Sequence, residues 1–169
     1  MKKLIALVLM LCMLCTVALA DNEITWDQVY PTLEAAGITG DFVTFDEIAV
    51  KVFIPAGAEA VELSDEDKAN GYIGYFTDES GDAIAVQYVN VDGMDLETYA
   101  AQVAEAGGTE IETGTVNGLP CISYEYNDNM ICAFTTQMGY ILEVAVGPLP
   151  DENAKLAAGF ILASIQAAE

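Results

Sequence analysis

What most constrains this chain is its supply of strand-forming runs. Ile48, Val50, Val52 and Ile54 alternate with Ala49, Lys51 and Phe53, the two-residue period of a strand packed mainly on one face. A shorter run covers residues 42–45, and Pro55-Ala56-Gly57 stops the second. Residues 72–77 and 83–91 read as strands joined across Asp78-Glu79-Ser80-Gly81-Asp82, a hairpin signal. Both are apolar on each phase, which predicts central strands covered on both sides. Four more runs follow at 109–116, 119–126, 130–136 and 140–146. Hairpin-linked strands dictate an antiparallel sheet, and a sheet apolar on both faces needs helices on each side. The expected class is α+β, a three-layer α/β/α sandwich.

Helix signals fall between these runs. Thr25 is placed as an N-cap with Gln28 completing a capping box, and Ile24 and Val29 stand at staple positions. Trp26, Val29, Tyr30 and Leu33 recur at helical spacing, Pro31 predicts a kink or restart, and Gly37 ends the run. Trp26 reads as a core anchor. Asp95 caps a second helix, with Met94 stapled to Tyr99; Leu96, Tyr99, Ala100 and Val103 form its buried stripe, and Gly107-Gly108 closes it. Pro148 and Pro150 precede a last helix whose apolar face carries Ala157, Phe160, Ile161, Ser164 and Ile165.

The first twenty residues carry an address rather than a fold. Met1-Lys2-Lys3 is basic, residues 4–19 are almost unbroken apolar sequence, and Ala18-Leu19-Ala20 is a small-x-small cleavage site. That is the pattern of a bacterial-type secretory signal peptide, too short for a comfortable membrane span. Cys12 and Cys15 follow Leu11 and Leu14, where a lipidated cysteine needs a small residue, so both are expected to leave with the leader. The expectation is a leader over 1–20 and a single globular α+β domain over 21–169. The mature protein would be secreted or held at the cell envelope, with no membrane span after cleavage. Roughly 150 residues suffice for one domain with a real hydrophobic core.

Beyond the leader only Lys51, Lys68 and Lys155 are cationic, and histidine and arginine are missing altogether. That removes the usual general base at neutral pH, the commonest metal ligand and the planar fork that grips phosphates. The formal net charge of the whole chain is −22. Such a field repels nucleic acid, whose binding begins with lysine and arginine neutralising phosphates, and leaves a cationic partner compatible.

Candidate chemistry is correspondingly sparse. Ser64 and Lys68 are near in sequence, but Asp65, Glu66 and Asp67 between them would keep the lysine protonated and a poor base. Carboxylate pairs for glycosidic acid–base work do not stand out among so many acids. Calcium accepts irregular oxygen ligands, and three clusters qualify: Asp65, Glu66 and Asp67; Asp78, Glu79 and Asp82; and Asn90, Asp92 and Asp95. None matches the loop that organises an EF-hand, Asp95 is engaged as a cap, and Asp78 and Asp82 fit a turn equally well. Tyr72, Tyr75, Tyr88, Tyr99, Tyr124, Tyr126 and Tyr140 would suit an aromatic recognition surface, though their alternation with aliphatics is also what a core requires. Cys121 and Cys132 are a disulfide candidate. A two-residue loop between their strands puts them on one face, opposite or diagonal; a three-residue loop puts them on opposite faces and forbids the bond.

Four stretches carry a resemblance: Val52-Phe53-Ile54-Pro55-Ala56-Gly57, the glycine-ended helix over 96–108, Val116-Asn117-Gly118-Leu119-Pro120, and Ile161-Leu162-Ala163-Ser164-Ile165. Together they resemble the Mog1/PsbP-type sandwich of small bacterial secreted and lipid-anchored proteins. The family often has a tryptophan soon after the Pro-x-Gly step, where Ala58 and Glu59 stand here. The resemblance implies a non-catalytic accessory or binding role. The sequence therefore leads to a non-enzymatic secreted protein that binds a protein or small ligand and needs no cofactor. The alternatives are a small carboxylate-based hydrolase, or a structural or antigen-like secreted protein, with calcium as its possible ion.

Overall fold

The hairpin signals close where the sequence places them. The computed structural model describes residues 23–89, 93–136 and 139–168. In order they form β1 (Glu23–Ile24), α1 (Trp26–Ala36), β2 (Gly40–Phe45), a 3-10 turn (Asp46–Ile48), β3 (Val50–Pro55), β4 (Glu59–Ala60) and α2 (Asp65–Ala69). Next come β5 (Tyr72–Thr77), β6 (Ala83–Val89), α3 (Leu96–Glu105), β7 (Thr109–Val116), β8 (Leu119–Tyr126), β9 (Asn129–Thr135), β10 (Ile141–Gly147), α4 (Glu152–Leu162) and β11 (Gln166–Ala167). Eight strands make one sheet in the order β1-β7-β8-β9-β10-β6-β5-β4, and β11-β3-β2 make a second of three. Every pairing is antiparallel except that of β1 with β7.

Strand alternation divides the large sheet into two faces. The inner face carries Ile84, Val86, Val116, Cys121, Cys132, Phe134, Leu142, Val144 and Val146. These pack on Phe45, Val50, Val52 and Ile54 of the small sheet and on Ala158, Ile161 and Leu162 of α4. The outer face presents Ile122, Tyr124, Ile131, Ala133 and Ile141 to Tyr99 and Val103 of α3. The protein is α+β, as the hairpins require. Its inner cover is a second sheet with α4 rather than helices alone. Gly74 lets that cover approach, because a Cβ there would lie 2.5 Å from a ring carbon of Phe45.

A polar knot ties the far edge of the large sheet to the rest. Asn117, at φ 46° in the β7–β8 turn, donates through Nδ2 to the carbonyls of Ala163 at 2.9 Å and Ile165 at 2.8 Å. Its Oδ1 accepts the Trp26 amide at 2.6 Å and so satisfies a donor at the open start of α1. Ser164, fully buried, accepts from the Phe53 amide at 2.9 Å and donates to the Ile161 carbonyl at 2.6 Å. Trp26 anchors α1 against Phe42 and Phe53, with ring centroids 5.3 and 5.2 Å away.

Several local readings need correction. Ile48 belongs to the 3-10 turn, and Ala49 follows it at φ 50°, so the strand begins at Val50. Pro31 lies inside α1, which runs without a break to its left-handed Gly37 cap. The acidic stretch between Ser64 and Lys68 falls in α2, because Ser64 and Asp67 cap each other and acids in a first turn suit the helix dipole. In α4 Ala158 is buried with Phe160 and Ile161, and Ala157 is exposed. Ile24, expected as a staple, is a β1 residue and is exposed.

Candidate functional site

The outer face is covered unevenly. Helix α3 lies over β7, β8 and β9. Beyond them, rows of residues are set side by side by strand register: Ile131, Ala145, Ala85 and Tyr75 in one, and Ala133, Glu143, Gln87 and Tyr72 in the next. Ala83, Ala85 and Ala145 are too short to fill the space above them. Tyr72 and Tyr75 rise on one side, Tyr99, Tyr124 and Tyr126 on the other, and the trough between them has a volume of about 450 Å³. This corrects the expectation that β5 and β6 are covered on both sides. Their outer phase is apolar by virtue of alanine and tyrosine, which line a groove as readily as they pack under a helix.

One carboxylate sits at the inner end of this groove. Glu143 is 7 % exposed. Its Oε1 accepts hydrogen bonds from the hydroxyls of Tyr99, at 2.5 Å, and of Tyr124. Its Oε2 accepts one from Gln87 Nε2 at 3.3 Å. Three donors and no cation converge on it, which suits an acceptor-only carboxylate. Such bonds offset the cost of removing a carboxylate from water, and each is stronger than one between neutral groups. Burial, reinforced by the neighbouring Glu143 charge, pushes both phenols well above their usual range, so they remain donors. Lys155, on α4, is paired with Glu125 at 2.7 Å.

A second cavity of about 220 Å³ lies among Leu33, Phe53, Ile84, Leu149, Ala158 and Phe160. Its walls are almost wholly apolar, with Asp78 and Asp82 the acids among its lining residues. It lacks the convergent polar groups that orient a ligand, which the tyrosine groove possesses.

The sequence-derived candidates lie elsewhere. Asp67 accepts the Ser64 amide at 2.9 Å and the Ser64 hydroxyl at 2.6 Å, so both residues belong to the α2 cap. Those bonds hold its carboxyl below the usual range. Asp65 stands in the same first turn. Asp78 Oδ1 accepts the Ser80 and Asp82 amides at 2.8 and 3.1 Å, an ordinary turn. Asp95 Oδ1 caps α3 through the Thr98 amide at 2.8 Å. Asn90 and Asp92 lie outside the described residues. Among the described residues no three of Asp, Glu or Cys converge as a metal cage would require.

Cys121 and Cys132 are buried free thiols facing the inner core. Their hairpin loop is Asn127-Asp128, with φ 48° and 59°, the two-residue alternative. Register sets Cys121 opposite Phe134 and Cys132 opposite Ser123, so the pair is diagonal. The diagonal is one of the two arrangements that the two-residue loop allows, and the two thiols lie in hydrogen-bond contact. A hydrogen bond with Cys121, together with burial, holds the Cys132 thiol well above its usual range.

Sequence reasoning named the tyrosines but passed over Glu143. Its signal was a lone acid on the outer phase of β10, whose other described residues are all apolar.

No protein-family model matches the chain, and no curated protein matches it. Solved structures do match it, among them a cyanobacterial and a yeast protein. The solution structure of cyanobacterial PsbP (CyanoP) from Synechocystis sp. PCC 6803 superposes with a TM-score of 0.58 at 12 % identity, covering 75 % of this chain and 91 % of that one. The Ran-binding protein Mog1p of Saccharomyces cerevisiae matches at TM-score 0.43 and 14 % identity, over 78 % of this chain and 97 % of its own. With the strand order and its two covers in place, the likeness to the cyanobacterial protein settles the architecture: this chain has a Mog1/PsbP-like fold.

Proposed function

We propose that this chain is an exported, non-catalytic binding protein that takes its ligand in the tyrosine-walled groove over β10, β6 and β5. The observation that carries the reading is the uncovered half-face. Alanines replace the large residues that would demand a helix there, while five tyrosines and one buried carboxylate surround the gap. Concave sites of several hundred Å³, with apolar walls and a few fixed polar groups, are where small ligands bind. The carboxylate-hydrolase alternative needs a second acid within several Å of the first, and among the described residues Glu143 is the single acid lining the groove. Export rests on the leader-like residues 1–20, which lie outside the described residues.

The test is a nuclear magnetic resonance titration of the ¹⁵N-labelled protein with a panel of small aromatic and aliphatic compounds. Binders should shift amides of β5, β6 and β10 together. Shifts clustered around the apolar cavity beside α4, or turnover of any panel compound lost in Glu143→Gln, would refute the reading.

A further inference from the structure

The groove also carries information about the charge of its occupant, and this inference rests on reading the groove as the ligand site. Among the described residues lining it, Glu143 bears the one formal charge; the rest are tyrosine, glutamine, asparagine and small aliphatics. The two carboxylate oxygens are not equivalent. Oε1 is engaged by two phenols, whereas Oε2 accepts one long bond from Gln87. A carboxylate offers about four lone-pair positions, so the remaining acceptor capacity lies with Oε2.

The surroundings favour the same sign of charge. Tyrosine rings present electron-rich faces that attract a cation. The chain as a whole carries a formal −22, so an anion would approach against the field and meet no lysine in the groove. A bare divalent ion is poorly served, because a single carboxylate supplies too few oxygens for calcium. The volume of about 450 Å³ suits a small molecule, and the alanine floor suits an apolar body.

We propose that the groove binds a small organic amine, its ammonium group donating to Glu143 Oε2 and its apolar body lying on Ala85 and Ala145 between the tyrosine walls.

The test uses three probes of one shape on the ¹⁵N-labelled protein at fixed ionic strength: 3-phenylpropylamine, 3-phenylpropanol and 3-phenylpropanoate. The amine is expected to bind at least about tenfold tighter than the alcohol, which corresponds to about 1.4 kcal/mol. The carboxylate should not bind. Shifts should centre on Gln87, Glu143 and Ala145. Glu143→Gln should reduce amine affinity to about that of the alcohol. Ala85→Leu, which fills the floor, should weaken both, and it keeps the test decisive if the glutamine variant does not fold.

Equal binding of amine and alcohol within the groove overturns the charge inference and leaves the groove itself as a site. Tighter binding of N-acetyl-lysine-amide than of the free amine overturns the small-molecule occupant in favour of a lysine on a protein partner. No shift from any of the three probes, while the wider panel still marks the groove, overturns the amine alone.

Discussion

The two halves of the outer sheet face are built from the same backbone and end in opposite states. Over β7, β8 and β9, Ile122, Ala133 and Ile131 are buried beneath α3. On β10, β6 and β5 the same rows continue with Glu143, Ala145, Ala85, Gln87, Tyr72 and Tyr75, which line the groove, whereas Ile141 at the start of β10 is buried with the covered half. Side-chain size makes the difference. Large aliphatics gain roughly 1.5–3 kcal/mol each from burial and so pull a helix onto the sheet. Alanine gains far less, and a glutamine resists a dry cover. Tyr99 spans the boundary, rooted in α3 and bonded to Glu143 on β10. One half is packed into the fold, and the other leaves a groove.

The sharpest way to break this contrast is a matched pair of substitutions. Ile122→Ala under α3 should cost about 3–4 kcal/mol in urea denaturation, from lost transfer energy and the cavity left behind. Ala85→Leu in the open half should change stability by less than about 1 kcal/mol while filling the groove. Comparable losses at both sites would mean that the open half is packed after all.

Next in size is Asn117→Ala at the edge of the covered half. It removes three hydrogen bonds and asks alanine to hold a positive φ. A loss of about 2–3 kcal/mol is expected by the same denaturation. A loss below about 0.5 kcal/mol would show that the knot adds nothing to the attachment of α1 and the C-terminal segment.

Tyr99→Phe tests the bridge between the halves. Phenylalanine keeps the packing under α3 but withdraws one donor from the carboxylate, which should cost about 1.5 kcal/mol. Because Tyr124 still donates to Oε1, the sheet should stay intact, with amide shifts reaching from α3 to β10. Shifts confined to α3 would sever the proposed link.

The smallest effect concerns how α3 is held. Its cap, Asp95, has a carboxyl held below the ordinary value of 3.8 by the Thr98 amide. A lowered folded value stabilises the ionised form, so the contribution is full above 3.8 and fades as pH falls through the folded value. Asp95→Ala should therefore lower Tm at neutral pH by a small amount, and the difference should shrink to nothing in strong acid. A difference that grew with acid would contradict the cap.

Much of the architecture was legible in the residues. Six strand runs from 72 to 146 match β5 to β10 closely, because period two and turn chemistry are local properties. The caps at Thr25 and Asp95 were likewise readable, since a cap and its partner stand three positions apart. Those that escaped depend on distant partners. Asn117 reaches residues 46, 48 and 91 positions away. The parallel β1–β7 pairing joins residues no local pattern connects. The tyrosines of the groove were visible, but whether they faced a core or a cleft depended on where α3 came to rest.

By itself, the sequence determined the strand periods, the hairpins, the helix caps and the scarcity of cations, since each is written in neighbouring side chains and formal charge. Tertiary structure alone decided which half of the outer face α3 covers, and with it the gathering of Tyr99, Tyr124 and Gln87 around Glu143. The reason is physical: alternation tells which side chains share a face, but only competition among distant surfaces for burial tells which of those faces is left open.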